Sequence, residues 1–408
     1  MTKSGSWKKN LFLLWLSQLA VMSGFSAMIP FIPLFIKSRF GITAEGDIAY
    51  YVSYFNFFGT MAYAVFCPVW GVLSDRFGVK PMLLRGTFVT SWMFPLMAYV
   101  PGPGWLIFLR FLTAACAGTT AASQVMIARN TPDDKQGFAQ GVLTTAIWGG
   151  SMLGNVIGGF IIYYFNYTCA FWLCGILYVL AGVAVLFTYD DFKGRPAEAR
   201  QTKVVRIRRA VPFIPAFTRA VWILLLLFLL MGCIRNFESP YVALKIESIT
   251  DARSAAYWTG IVSAVACVGA ILSGAMNGYL ADRFAAAKLL TPLLILSSCA
   301  LFMQGFAGGL LVFASGRALL FIAAGGLQPV LQKQLSSATP QRKRGSVFGF
   351  SSMFSCVGGM IAALAGGWSV MLFKVSGVFY TASALFLVSI FLFRAGLARA
   401  ARLRRQAQ

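Results

Sequence analysis

An all-α membrane protein of twelve transmembrane helices in two pseudo-symmetric six-helix bundles is the fold class that the sequence predicts. Three observations carry it: the composition, a series of apolar segments separated by alternately basic and uncharged connectors, and an internal repeat. The chain has 408 residues, 58% hydrophobic and 12% charged, with a mean hydropathy of +0.73. Soluble domains carry about 25% charged and about 45–50% apolar residues, so a soluble enzyme built around one core is excluded. The absence of histidine removes imidazole acid–base catalysis and histidine metal ligation. The eight cysteines all fall in apolar segments and form no C-x-x-C pair, which reads as packing. No cofactor and no metal are expected.

The first apolar segment follows Lys3, Lys8 and Lys9 and runs over 11–36. At 1.5 Å per residue it spans about 39 Å, too long for a signal peptide and right for a first membrane helix. Further segments follow at about 48–73, 81–100, 105–128, 137–164, 167–188, 220–246, 255–281, 289–306, 309–335, 345–373 and 376–394, with Pro30, Pro33, Pro68, Pro240 and Pro329 as candidate kinks. Connectors after the even-numbered spans up to the tenth carry clusters of Lys and Arg, whereas those after the third, fifth and ninth are nearly uncharged. If both termini are cytoplasmic, 27 Lys/Arg lie inside, 5 outside (Lys37, Arg39, Lys245, Arg253, Lys374) and 3 within spans (Arg110, Arg235, Arg317). That is the positive-inside distribution of a multi-pass protein of the cell (inner) membrane. Charges scattered through short loops do not form a nucleic-acid surface. The longest polar stretch, from Asp190 to Arg209, predicts a cytoplasmic linker over 190–215 between an N-terminal half, 1–189, and a C-terminal half, 216–408.

The halves repeat each other. Asp75-Arg76 recurs as Asp282-Arg283, Arg110 as Arg317 and Pro33 as Pro240, all at an offset of 207; Thr131-Pro132 and Gly158-Gly159 recur at 208. Parallel repeats with a site near the midplane between them are the pattern of a rocking, alternating-access transporter.

After the second segment comes Gly71-Val-Leu-Ser-Asp75-Arg76-Phe-Gly78-Val-Lys80. Glycine at 71 suits close helix approach and glycine at 78 a tight turn. A carboxylate at Asp75 can engage the positive end of a neighbouring helix in one conformation and release it in another. The pattern resembles the G-x-x-x-D-R-x-G-x-K loop of the major facilitator superfamily; its second copy, from Gly278 to Lys288, has alanine at 285 in place of the turn glycine. In the fifth segment Gly141, Gly150, Gly154, Asn155, Gly158 and Gly159 resemble the antiporter motif of that superfamily's drug:proton antiporter branch, with asparagine at the usual proline. Gly150, Gly154 and Gly158 also form a small-residue stripe for helix packing, repeated by Gly349, Gly358, Ala362, Gly366 and Gly367. Phe25 to Phe35, with its two prolines, is similar to the end of the first span in drug exporters.

Ionisable residues within spans are functional candidates by default. The resemblance gives Arg110 a part in proton coupling. Gln124, 14 residues on, is expected on nearly the same helix face, and Arg317 with Gln328 repeats the arrangement. Glu238 is the only carboxylate within a span, and Arg235 three residues earlier is placed to pair with it. The cavity candidates are Gln18, Gln124, Trp148, Asn155, Arg317 and Gln328. The expectation is a non-enzymatic, monomeric, lipid-embedded secondary transporter that exports small amphipathic compounds in exchange for protons. The alternative is a symporter or exchanger for a nutrient or organic anion.

Overall fold

Apolar residues dominate every long stretch, and with no water in a bilayer core the backbone can satisfy its own polar groups only as helix. The computed structural model describes residues 4–132, 135–189, 217–283, 286–325, 327–339 and 344–407, and all its regular structure is helical. The helices are α1 (Ser4–Ser26), α2 (Ile32–Phe40), α3 (Glu45–Phe77), α4 (Val79–Met97), α5 (Pro103–Cys116), α6 (Thr119–Asn130), α7 (Gln136–Tyr164) and α8 (Tyr167–Leu186). Past the linker follow α9 (Arg219–Asn236), α10 (Val242–Ile249), α11 (Ala255–Arg283), α12 (Ala286–Phe306), α13 (Leu310–Ala324), α14 (Leu327–Ser337) and α15 (Arg344–Ala407). Among the described residues, nine helical stretches are long and apolar enough to cross a membrane, and α13 is a shorter apolar helix. The last stretch, 347–400, is broken at Lys374, whose φ is 63°. The linker predicted over 190–215 lies outside the described residues.

The breaks follow local chemistry. Pro30 and Pro240 each sit in a short 3-10 turn, Ile29–Phe31 and Ser239–Tyr241, that joins α1 to α2 and α9 to α10. Pro68, by contrast, lies inside an unbroken α3. The expected single helix over 105–128 is a correction: it divides at Ala117 and Gly118, where Gly118 takes φ +112°. The segment over 309–335 divides likewise between α13 and α14. Such breaks free carbonyls that need donors. Trp70 Nε1 donates to Ala115 O at 2.6 Å and Arg85 Nη2 to Ala117 O at 3.4 Å, while Ser273 Oγ donates to Ile322 O at 2.6 Å.

The glycine stripes bring backbones into direct contact. A Cβ on Gly150, Gly154 or Gly158 would collide with the carbonyl oxygens of Leu19 and Ser23 on α1 and of Ala27 just past its end. Past the linker, Gly358 and Gly366 of α15 press in the same way on Leu229 and Phe237. Gly71, Gly141 and Gly349 behave differently, since a Cβ there meets nothing within 4 Å. The close approach expected at Gly71 is therefore absent from this conformation, whereas Gly78 does make a tight turn, with φ +96° between α3 and α4.

Several contacts between residues before and after the linker gather where α2, α3 and α10 end or begin and α15 breaks, called here the closed end. There Lys37 Nζ donates to Glu247 Oε1 at 2.9 Å, Val375 N donates to Glu45 Oε2 at 3.0 Å, and the Ser53 and Tyr241 hydroxyls share a 2.8 Å hydrogen bond. Gly159 of α7 and Gly260 of α11 interlock close by, each against the other helix's backbone. These contacts predict that Gly154→Leu lowers stability by about 1–3 kcal/mol or more through overpacking, whereas Gly71→Ala leaves it unchanged or slightly raised. Thermal unfolding in detergent checks both; equal losses at the two positions would refute the packing assignment.

Candidate functional site

A cavity of about 570 Å³ lies between α1, α3 and α5 on one side and α9, α14 and α15 on the other. Its wall mixes apolar residues (Phe25, Ile29, Phe228, Met231) with amides (Asn56, Asn236, Gln328, Gln332) and one guanidinium, that of Arg110. The volume suits a drug-sized molecule. Asn236 and Ser239 are exposed although they lie inside the apolar stretch 219–249, so solvent reaches the wall.

Arg110 rests against aromatic faces, its guanidinium 5.2 Å from the ring centre of Phe25 and 5.4 Å from that of Phe55. Gly59 of α3 makes room for it: a Cβ there would stand 2.6 Å from Arg110 Nε. That nitrogen is buried without a hydrogen-bond partner, and no described carboxylate forms an ion pair with this arginine.

A second cavity of about 360 Å³ shares Asn236, Ser239 and Ser355 with the first and is also lined by Arg235 and Glu238. Glu238 is 3% exposed and Arg317 5%, and they form a buried ion pair in which Arg317 Nη1 donates to Glu238 Oε1. Arg317 also stacks on Phe321, at 4.9 Å from the ring centre. The expected Arg235–Glu238 pair is a correction. α9 ends at Asn236 and Glu238 precedes the 3-10 turn, so the two do not meet as a helical i, i+3 ion pair, although both line this cavity and the charge of Glu238 still acts on Arg235. Arg235 Nη1 donates instead to Gln328 Oε1 at 3.0 Å.

A charge pair buried at this depth, beside a solvated cavity between two repeats, is suited to moving solutes. The profile of the Major Facilitator Superfamily matches residues 14–276 and again 239–407. The chain belongs to the major facilitator superfamily. As a major facilitator protein it is a secondary transporter of small molecules across a membrane, not an enzyme. It is similar to the multi-drug resistance efflux pump PmrA of Streptococcus pneumoniae, 28% identical over 384 residues that cover 93% of each chain. It is also similar to the multidrug resistance protein MdtG of Salmonella typhimurium, 26% identical over 363 residues covering 88% of each. Among solved structures, a D-xylose-proton symporter superposes with a TM-score of 0.75 at 14% identity, covering 94% of this chain and 96% of that one. The nucleoside transporter NupG gives 0.74 at 10%, covering 95% and 99%. These two likenesses concern the fold alone.

Within this major facilitator architecture the predicted site residues separate. Arg110 and Gln328 line the central cavity; Gln18, Gln124, Trp148, Asn155 and Arg317 do not. Gln18 is buried and donates to Thr120 Oγ1 at 2.9 Å, tying α1 to α6. Gln124 is exposed on α6, across the Gly118 break from Arg110, and its backbone oxygen accepts from Gln140 Nε2 at 2.9 Å. The shared face expected for Arg110 and Gln124 assumed one continuous helix. Asn155 is buried against α11, with Nδ2 3.9 Å from Cys267 Sγ. In the loop motif, Lys80 Nζ donates to Leu186 O at 2.6 Å and Thr188 O at 2.8 Å, capping the end of α8. The side chains of Asp75 and Arg76 lie outside the described residues. Missed by the sequence reading were Asn56 and Asn236, amides within apolar segments, and the Lys37–Glu247 bridge. Intramembrane amides were a usable signal for the first two; nothing local pairs residues 210 apart.

Breaking a buried pair strands a charge, so Glu238→Gln or Arg317→Met alone is expected to cost about 3–5 kcal/mol, and Glu238→Leu with Arg317→Met to recover most of it. Arg235→Met, which removes a hydrogen bond to a neutral amide, should cost less. A double-mutant cycle on unfolding midpoints measures this; additive losses would refute the pairing.

Proposed function

We propose that this protein is a proton-coupled antiporter that exports small amphipathic compounds by alternating access. In this reading twelve spans form two six-helix halves, 1–189 and 216–408, joined by the cytoplasmic linker 190–215, with both termini cytoplasmic in the cell membrane. The observation that carries it is the pairing of a solvent-reached cavity between the repeats with a buried carboxylate, Glu238, held by Arg317 on the wall's far side. Similarity over 93% of the chain to a protein named as a multi-drug resistance efflux pump, and over 88% to one named as a multidrug resistance protein, supports export.

The basic connectors put the end opposite the seal in the cytoplasm, which makes the described conformation inward-facing. Release to the outside then requires the Lys37–Glu247, Glu45–Val375 and Ser53–Tyr241 contacts to part while the glycine-lined cytoplasmic faces around Gly71, Gly141 and Gly349 close. The free space at those glycines is the room such closure uses. Protonation of Glu238 would cancel the charge that holds Arg317 and shift the balance between the two arrangements. Arg110 and Arg235, on the adjoining cavity walls, feel that change electrostatically. Asp75, Arg76 and Lys80 on the cytoplasmic loop act as the conformational switch rather than on the substrate.

In proteoliposomes, an outward-directed proton gradient (acidic lumen) should drive accumulation of probe against its gradient, and Glu238→Gln should abolish accumulation while sparing passive exchange. Gradient-driven transport that survives in the Glu238→Leu, Arg317→Met double variant would remove Glu238 as the proton carrier. Asp75→Asn should slow turnover with unchanged equilibrium binding; binding lost in proportion to flux would count against a switch role.

A further inference from the structure

The central cavity presents a cation with nothing to answer it. Arg110 reaches the wall from α5, lies over Phe25 and Phe55, keeps a buried Nε without a partner, and makes no ion pair with any described carboxylate. Among the described residues, no aspartate or glutamate lines this cavity. The adjoining cavity does not correct the balance: Glu238 there is committed to Arg317, and Arg235 is held by the neutral amide of Gln328. Two guanidinium groups, those of Arg110 and Arg235, therefore line the two adjoining cavities, and the one carboxylate there, Glu238, is already neutralised by Arg317. Aromatic faces stabilise a guanidinium, yet they leave its in-plane N–H donors free. Those donors form a planar fork that matches an oxyanion. A second cation brought into the cavity would meet only repulsion, made stronger by the low-dielectric walls.

We propose that the compounds taken up by this cavity are amphipathic organic anions, whose carboxylate, sulfonate or phosphonate docks on Arg110 while the apolar body packs on Phe25, Ile29, Phe228 and Met231. Arg110 is on this account the residue that selects against organic cations. The proposal rests on the transporter reading above and names its substrate class.

Three probes sharing one ring system test it: naphthalene-2-carboxylate, its methyl ester, and the 2-naphthyl-trimethylammonium ion. Equilibrium binding is measured to the full-length protein in nanodiscs with no gradient imposed. The wild type should bind the carboxylate about tenfold or more tightly than the ester, the gain of a charge-assisted hydrogen bond, and bind the ammonium ion weakest. Arg110→Gln should erase that preference without moving the ester's Kd, and Arg110→Lys should keep only part of it. Asn56→Asp, which places a carboxylate on the same wall, should weaken the carboxylate probe and strengthen the ammonium probe; it also serves where Arg110→Gln does not fold. A wild type that favours the ammonium ion, a carboxylate preference that survives Arg110→Gln, or an unmoved ranking in Asn56→Asp overturns the proposal. Because binding is read without a gradient, loss of pH-driven efflux with the ranking intact would refute antiport alone. Efflux of the ammonium probe with no carboxylate preference would refute the role of Arg110 alone.

Discussion

The constraint on which the rest of this structure depends is the cost of holding guanidinium groups in an apolar interior. Desolvating such a charge costs several kcal/mol unless partners replace the lost water. The chain meets that cost in four different ways. Arg317 takes the lone carboxylate at its depth, Glu238; Arg235 takes an amide oxygen; Arg85 lies 3.4 Å from the ring centre of Trp70 and reaches a freed carbonyl; Arg110 lies between two phenylalanine faces and opens onto the cavity. Of these four, Arg110 alone lines the central cavity, where its charge is available to something outside the chain.

These charges sit beside interruptions in helices, and the two features need each other. Glu238 occupies the residue before the 3-10 turn that joins α9 to α10, and Arg85 donates to a carbonyl freed where α5 stops. A broken helix at membrane depth is tolerated where it is buried in protein or lines a water-filled space. The breaks near 117–118 and at Gly325 meet the first condition through Trp70, Arg85 and Ser273, and the turns at 29–31 and 239–241 meet the second at the cavity wall. Uninterrupted helices would bury these carbonyls in their own ladders and give Arg85 nothing to cap.

Much of the helical plan was legible in the sequence because it depends on quantities that a sequence states directly: hydropathy over a long window, glycines four apart, prolines, and a constant repeat offset. Gly150, Gly154 and Gly158 could be read as a contact stripe since spacing alone puts them on one face. The site was less legible because its pairings assume helical continuity. Pairing Arg235 with Glu238 and aligning Arg110 with Gln124 both extrapolate 3.6 residues per turn across places where the backbone leaves the helix. Gln18 and Asn155 failed as cavity candidates for another reason: a polar side chain in an apolar span can equally well be spent on a neighbouring helix, as Gln18 is on Thr120. Which of these happens is decided by tertiary packing.

The repeat makes the unequal treatment of Arg110 and Arg317 intelligible. Aligned on the short turn that both copies keep, Ile29–Phe31 with Ser239–Tyr241, the counterpart of Glu238 is Met28. Met28 is fully buried, so the first copy has a thioether where the second has a carboxylate. Both copies keep the short turn around these positions and the glycine contacts that press it inward, through Gly158 on Ala27 and Gly366 on Phe237. The backbone solution is thus common to both copies, and the charge solution is not. With glutamate at that position an arginine is neutralised and withdrawn, 5% exposed; without it, Arg110 stays at the wall. A difference of one residue type between equivalent positions is enough to give one half a closed ion pair and the other an open cation, with no change in the helices that carry them.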